Sequence, residues 1–125
     1  MTNLQKIKIT ERGWAGHFCA SHHCGFRRNT LIEKGKNKII VSTVGNYNLP
    51  GADDLDKKIG YERYYETMVF KAKKVGIYWE ADVTKEVPFE SPWAINELET
   101  ETDQKANDMH ENVVREIADL LSTQE

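Results

Sequence analysis

Phe26-Arg27-Arg28-Asn29-Thr30-Leu31-Ile32-Glu33-Lys34-Gly35-Lys36-Asn37-Lys38-Ile39-Ile40-Val41-Ser42-Thr43-Val44 is the stretch that decides the fold. Its two ends are rich in β-branched and apolar residues. Between them Lys34-Gly35-Lys36-Asn37 forms a short polar turn whose glycine accepts positive φ. The pattern predicts a hairpin of residues 26–32 against 39–44. Upstream, residues 5–10 alternate, with Ile7 and Ile9 on one face and Lys6 and Lys8 on the other. Residues 14–20 read as a further strand, followed by the compact His22-His23-Cys24-Gly25.

Downstream, residues 45–60 are the one long irregular segment, with Pro50, Gly51 and the acidic pair Asp53-Asp54. Residues 61–73 then give the longest strand, and Lys73-Lys74-Val75-Gly76 turns it into 77–83. Pro88 and Pro92 bracket Phe89-Glu90-Ser91, an extended piece that proline keeps out of an inner strand. The period then changes. Ala106, Met109, Val113, Ile117 and Leu120 recur at helical spacing and predict an amphipathic helix over about 101–122. Thr100 and Asp103 resemble a capping box, and Glu101 and Asp103 suit the positive end of the helix dipole. Strands followed by one helix indicate a single α+β domain over residues 1–125: an antiparallel sheet of about six strands with the C-terminal helix packed on it.

The chain has 125 residues and a mass of 14.4 kDa, with 30% charged residues and a net charge of −3. Its charge is unevenly placed. Residues 1–50 carry eight cations against two acids, whereas residues 80–125 carry three cations against thirteen acids. Such halves either cover one another or leave the basic half for an anion. A pI near 5.8 argues against long nucleic acid and leaves a small anionic ligand open. No apolar run is long enough for a membrane span. The opening lacks the apolar core of a signal peptide, and two cysteines give no disulfide framework, so the expected location is the cytoplasm.

His17, Cys19, His22, His23 and Cys24 bring metal to mind. A structural zinc site draws ligand pairs from two segments, and no second cysteine pair exists, so neither metal nor cofactor is expected. His110-Glu111-Asn112-Val113-Val114 starts like a metalloprotease helix but lacks the second histidine at 114. In the long strand, Tyr64, Met68, Phe70 and Ala72 facing a core would place Glu66 among them. Glu66 is then either a satisfied structural carboxylate or a base or ribose acceptor. The other face, Arg63, Tyr65, Thr67 and Lys71, reads as a solvated row or as a nucleotide-facing one. Trp93 reads as edge packing against the helix. Phe89 reads as packing or as a stacking surface for a base.

Several motifs together resemble a known family: Gly13-Trp14-Ala15-Gly16-His17-Phe18, Phe26-Arg27-Arg28-Asn29-Thr30-Leu31, Val41-Ser42-Thr43-Val44-Gly45 and Arg63-Tyr64-Tyr65-Glu66-Thr67-Met68. Trp79-Glu80-Ala81-Asp82-Val83, Phe89-Glu90-Ser91-Pro92-Trp93 and Ala106-Asn107-Asp108-Met109-His110-Glu111 belong to the same set. They are similar to the first Thoeris anti-defence family, phage sponges that sequester immune nucleotide signals. The resemblance implies an antiparallel sheet with a C-terminal helix, dimers that assemble into hexamers, and action in the host cytoplasm. It implies binding of cyclic ADP-ribose variants without cleavage, and in some members of cyclic oligonucleotides at a second site. By local context it assigns Arg63 and Phe89 to an adenine clamp and Arg115 to phosphate. His17, His23, Arg27 and Arg28 are the residues for the second site. Two other readings stand beside it: an enzyme that degrades such a signal with Glu66 and His110 as acid and base, and a protein-binding inhibitor of the anti-CRISPR type.

Overall fold

The computed structural model describes residues 6–12, 24–47, 59, 64–96 and 102–123. Strands β1 (Lys8–Glu11), β2 (Cys24–Lys34), β3 (Asn37–Tyr47), β4 (Tyr65–Val75), β5 (Tyr78–Glu86) and β6 (Ala94–Ile95) precede one helix, α1 (Thr102–Ser122). The strands pair antiparallel in the order β1-β2-β3-β4-β5, and β6 also pairs with β4. Gly35 and Gly76 sit at the two hairpin turns with φ of 59° and 61°. This is the α+β architecture the sequence predicts. The strand expected over 14–20 and most of the irregular segment lie outside the described residues.

Partners in an antiparallel pair share a face, so Thr30 lies with Val41 and Val69, and Arg28 with Thr43 and Thr67. On this face Ile32, Ile39, Val41 and Val69 meet Val113, Val114, Ile117 and Leu121 of α1. The helix stripe ends at Leu121, 1% exposed, and not at Leu120, which is 43% exposed. Leu121 continues the row through Val113 and Ile117, four residues apart, whereas Leu120 falls a step off it. Asp103, in the first turn, accepts hydrogen bonds from the Tyr65 hydroxyl and Asn46 Nδ2.

The solvated reading of the Tyr65–Thr67 row is corrected by the same packing. Tyr65, Thr67 and Val69 are buried beneath α1. The opposite face is buried too, through Asn29, Leu31, Ile40, Ser42, Val44 and Phe70. In a flat sheet β1 and β5 would lie roughly 19 Å apart, four strand spacings. Yet Arg12, the residue after β1, donates through Nη1 to the Trp79 carbonyl of β5 while holding Asn29 Oδ1 from Nε and Nη2 at 3.1 and 2.6 Å. One arginine joins both edges, so the sheet coils around this second face and largely encloses it.

Gly45 is required where β3 passes under Tyr65. A Cβ there would come 2.7 Å from the Tyr64 carbonyl oxygen and closer still to the Tyr65 ring. That ring stands edge-on to Phe26, 5.8 Å between centroids.

Candidate functional site

β5 and β6 lie along the same edge of β4, since β3 occupies the other. Phe70 pairs with Glu86, and Val87 N–H donates to Val69 C=O at 2.7 Å. Glu66 pairs with Ala94, and Thr67 N–H donates to Trp93 C=O at 2.8 Å. Continued by two residues, the first register would place Pro88 opposite Met68. Carried back by two, the second would place Pro92 there. The five residues 88–92 thus leave the ladder where it needs one partner for Met68, and they form a strap over the opening. Neither proline could donate to the ladder. Beneath the strap is a cleft of about 470 Å³ lined by Glu66, Thr67, Met68, Glu86, Val87, Pro88, Phe89 and Trp93. This volume is in the range of small-ligand sites.

Glu116 of α1 fixes the strap. Its Oε2 accepts the Glu90 N–H at 2.7 Å, and its Oε1 accepts the Ser91 N–H at 2.8 Å and the Ser91 hydroxyl at 2.5 Å. The Ser91 hydroxyl and these N–H groups hold the Glu116 carboxyl below its ordinary value against the modest effect of burial. Phe89 packs one side on the core cluster under α1 and presents the rest to the cleft. Trp93, read from the sequence as helix-edge packing, is 46% exposed and lines the cleft. Its carbonyl is tied to Thr67, which anchors it at the β4 edge.

On the helix-covered face, the hydroxyl of the same Thr67 begins a polar chain that is buried as far as Thr30 and ends at the exposed Glu11. Burial opposes ionisation of Glu11, but hydrogen bonds from Arg28 and Thr30, with the Arg28 charge, hold its carboxyl below the usual value. The ionised carboxylate only accepts, so the Thr30 hydroxyl donates to Glu11 Oε2 at 2.5 Å. Thr30 then accepts from His110 Nε2–H at 2.7 Å, which assigns the tautomer and leaves Nδ1 as an acceptor for the Thr43 hydroxyl at 2.7 Å. Thr43 in turn accepts from Thr67 at 2.6 Å. His110 is 0% exposed, and burial pushes its pKa down to about 3, with the Arg28 charge adding to the fall. The ring is neutral at physiological pH, so the 4.0 Å approach of Glu11 Oε2 to Nε2 is not an ion pair.

The residues singled out by sequence divide as follows. Arg63, His17 and His23 lie outside the described residues, as does Cys19. Arg27 and Arg28 point to opposite faces of β2, as expected for successive strand positions. Arg28 is committed: it makes a bidentate pair with Glu11 at 3.0 and 3.0 Å and also reaches Glu111 at 2.6 Å and Asn107 at 2.9 Å. Arg27 is exposed and has no ion pair among the described residues. Arg115 lies across the strap from Phe89, in a separate shallow cleft with Glu90, Ser91, Pro92, Asn112, Glu116 and Asp119. Its Nη1 approaches Asn112 Oδ1 at 3.4 Å. Phe89 and Arg115 therefore flank one strap without sharing a cleft. Glu66 and His110 are on opposite faces of β4. Cys24 is buried, and burial pushes its thiol up to about 11.

Sequence reasoning missed Glu86, Met68 and Glu116 as parts of the site. The two prolines were the signal for the first two, because both stand at the register position of Met68. Comparison of the chain with protein-family models, with curated proteins and with solved structures gives no match.

Proposed function

We propose that this protein binds and sequesters a cyclic nucleotide signal of the cyclic ADP-ribose class, without cleaving it, as a phage anti-defence sponge acting in the host cytoplasm. The observation that carries the reading is the strapped cleft at Met68. It combines an aromatic pair, Phe89 and Trp93, with the carboxylates of Glu66 and Glu86 and an interior of nucleotide scale. Aromatic faces stack on a base, and carboxylates accept ribose hydroxyls. Among the described residues the lining holds no lysine or arginine. The phosphates are therefore assigned to Arg115, across the strap from the cleft, and to Arg63, which the resemblance offers and which lies outside the described residues. A homo-oligomer, dimer or hexamer, brings further cations to such a site from a second copy. A second ligand class, a cyclic oligonucleotide, falls to Arg27 and the residues before it, because Arg28 is held by Glu11 and Glu111.

The degrading-enzyme reading asks Glu66 and His110 to work as a pair. His110 is sealed, neutral and bonded at both ring nitrogens on the far face of β4, which favours sequestration. A sponge competes for a scarce signal, and a Kd near 1 nM corresponds to about −12 kcal/mol. Calorimetric titration with cyclic ADP-ribose variants tests the reading. Tight, saturable binding is expected, weakened ten- to a hundred-fold or so in Phe89→Ala. No heat of binding with any variant would remove the nucleotide from the account and leave the protein-binding inhibitor.

A further inference from the structure

Where α1 ends, the sheet carries a second cleft of different chemistry. Leu121 is the last helix residue in the core, whereas β4 runs on past Lys71, the partner of Ile39, to Val75. The sheet thus outruns the helix, and the step between them holds a cleft of about 300 Å³. It meets the strapped cleft only at Val87. Ile39, Val87, Leu120 and Leu121 give it apolar walls, and Trp79 of β5 lines it as well. Its charged residues are Lys36, Lys38 and Lys71, and no acid is among the described residues of the lining.

Cations at the end of a helix ordinarily serve its carbonyls. Here that need is met by other groups. Lys34 Nζ donates to Leu121 C=O at 2.7 Å, the Ser122 hydroxyl to Asp119 C=O at 2.7 Å, and the Thr123 hydroxyl to Leu120 C=O at 2.9 Å. Lys38 is fixed in place: Nζ donates to Gly35 C=O at 2.9 Å, lies 3.2 Å from Glu33 Oε2 and stands 5.1 Å from the centre of the Trp79 ring. Its charge is shared with Glu33. Lys36 and Lys71 are exposed and make no ion pair among the described residues.

We infer that this cleft binds a phosphate monoester: Lys36 and Lys71 hold the dianionic phosphate, and the ester's ring lies on Ile39, Val87 and Leu120. Two uncompensated cations match two negative charges. Ammonium groups act as separate point charges and suit a tetrahedral oxyanion, whereas a planar carboxylate suits the fork of an arginine. Leu120, which is 43% exposed and off the core stripe, supplies part of the apolar surface. The phosphates of a cyclic nucleotide are not monoesters, so the two clefts select different ligands. The inference stands apart from the nucleotide reading above.

Phenyl phosphate is the probe. Phenyl sulfate has the same shape with one charge fewer, and inorganic phosphate lacks the ring. In calorimetry and amide-proton spectra of the full chain, phenyl phosphate should bind saturably and shift the resonances of Lys71, Ala72 and the Trp79 indole N–H. The other two probes should each bind about ten-fold more weakly. Lys36→Ala and Lys71→Ala should each cost about ten-fold in affinity and leave the melting temperature unchanged, because both side chains are exposed. Trp93→Ala, in the strapped cleft, should bind phenyl phosphate as the wild type does. No saturable binding, equal affinity for the three probes, or undiminished binding in the variant carrying both lysine substitutions overturns the inference. A loss in Trp93→Ala would put the probe in the strapped cleft and overturns it too. None of these outcomes touches the nucleotide reading.

Discussion

Thr67 belongs to two regions that treat polar groups in opposite ways. On the face under α1 its hydroxyl ends the chain through Thr43, His110 and Thr30 to Glu11, in which every hydrogen has one acceptor. At the strand edge, one residue before Met68, it lines a cleft where the ladder is broken. The first region is polar and closed, and it fixes the fold by satisfying buried groups. The second is largely apolar and open, with only Val87 and one side of Phe89 packed on the core. A polar residue type is therefore no guide to exposure in this protein.

Substitutions can break that comparison from either side. His110→Ala should have the largest effect, about 4 kcal/mol of stability in urea unfolding, because it leaves the buried Thr43 hydroxyl without its acceptor and opens a cavity. A loss below about 1 kcal/mol would mean that the chain is not the closed core described. Gly45→Ala should cost about 3 kcal/mol by driving a methyl into Tyr65 and the Tyr64 carbonyl. Trp93→Ala should leave stability within about 1 kcal/mol but weaken nucleotide binding by about 1–3 kcal/mol, seen in paired melting and calorimetry. The same loss in both readouts would make Trp93 part of the core.

Two smaller effects sharpen the contrast. His110 has a folded pKa depressed from 6.5 to about 3, so the unfolded chain binds the proton first. Its contribution is complete above pH 6.5 and declines as the pH falls, on the order of 1 kcal/mol per pH unit, over the window from 6.5 down to about 3. Denaturation at pH 6.5 and pH 5 isolates this slope above the carboxylate range, and it should vanish in His110→Ala. Glu116→Gln should be the mildest, under about 1 kcal/mol of stability, because a half-exposed carboxylate holds only the strap. It should nevertheless loosen the strap, visible as faster amide exchange at Glu90 and Ser91.

Much of the sheet and helix was legible in the sequence because each depends on local chemistry. Gly35 between two β-branched runs specifies the hairpin, and apolar residues at three- and four-residue steps specify α1. β4 was harder. Tyr65, Thr67 and Val69 alternate with Glu66, Met68 and Phe70, and both rows are half apolar, so period two gives no direction. Threonines look solvated until a histidine from a distant helix satisfies them, a fact of tertiary packing alone. Leu120 and Leu121 differ by one helical step, within what an apolar stripe leaves open. The strap was partly legible through Pro88 and Pro92. That both fall opposite Met68 depends on two pairing registers, which no local pattern carries. The link between Glu116 and Ser91 spans 25 residues and has no local signature.

The measurement that bears most directly on sequestration is recovery of the ligand. The protein is held in excess with a cyclic ADP-ribose variant, the free solution is separated by ultrafiltration, and the retained protein is then heat-denatured and its extract chromatographed. The account expects the nucleotide to disappear from the filtrate and to return intact and in full on denaturation, with Trp93→Ala retaining less. Nucleotide left in the filtrate, or its recovery as a linear or hydrolysed product, would contradict it.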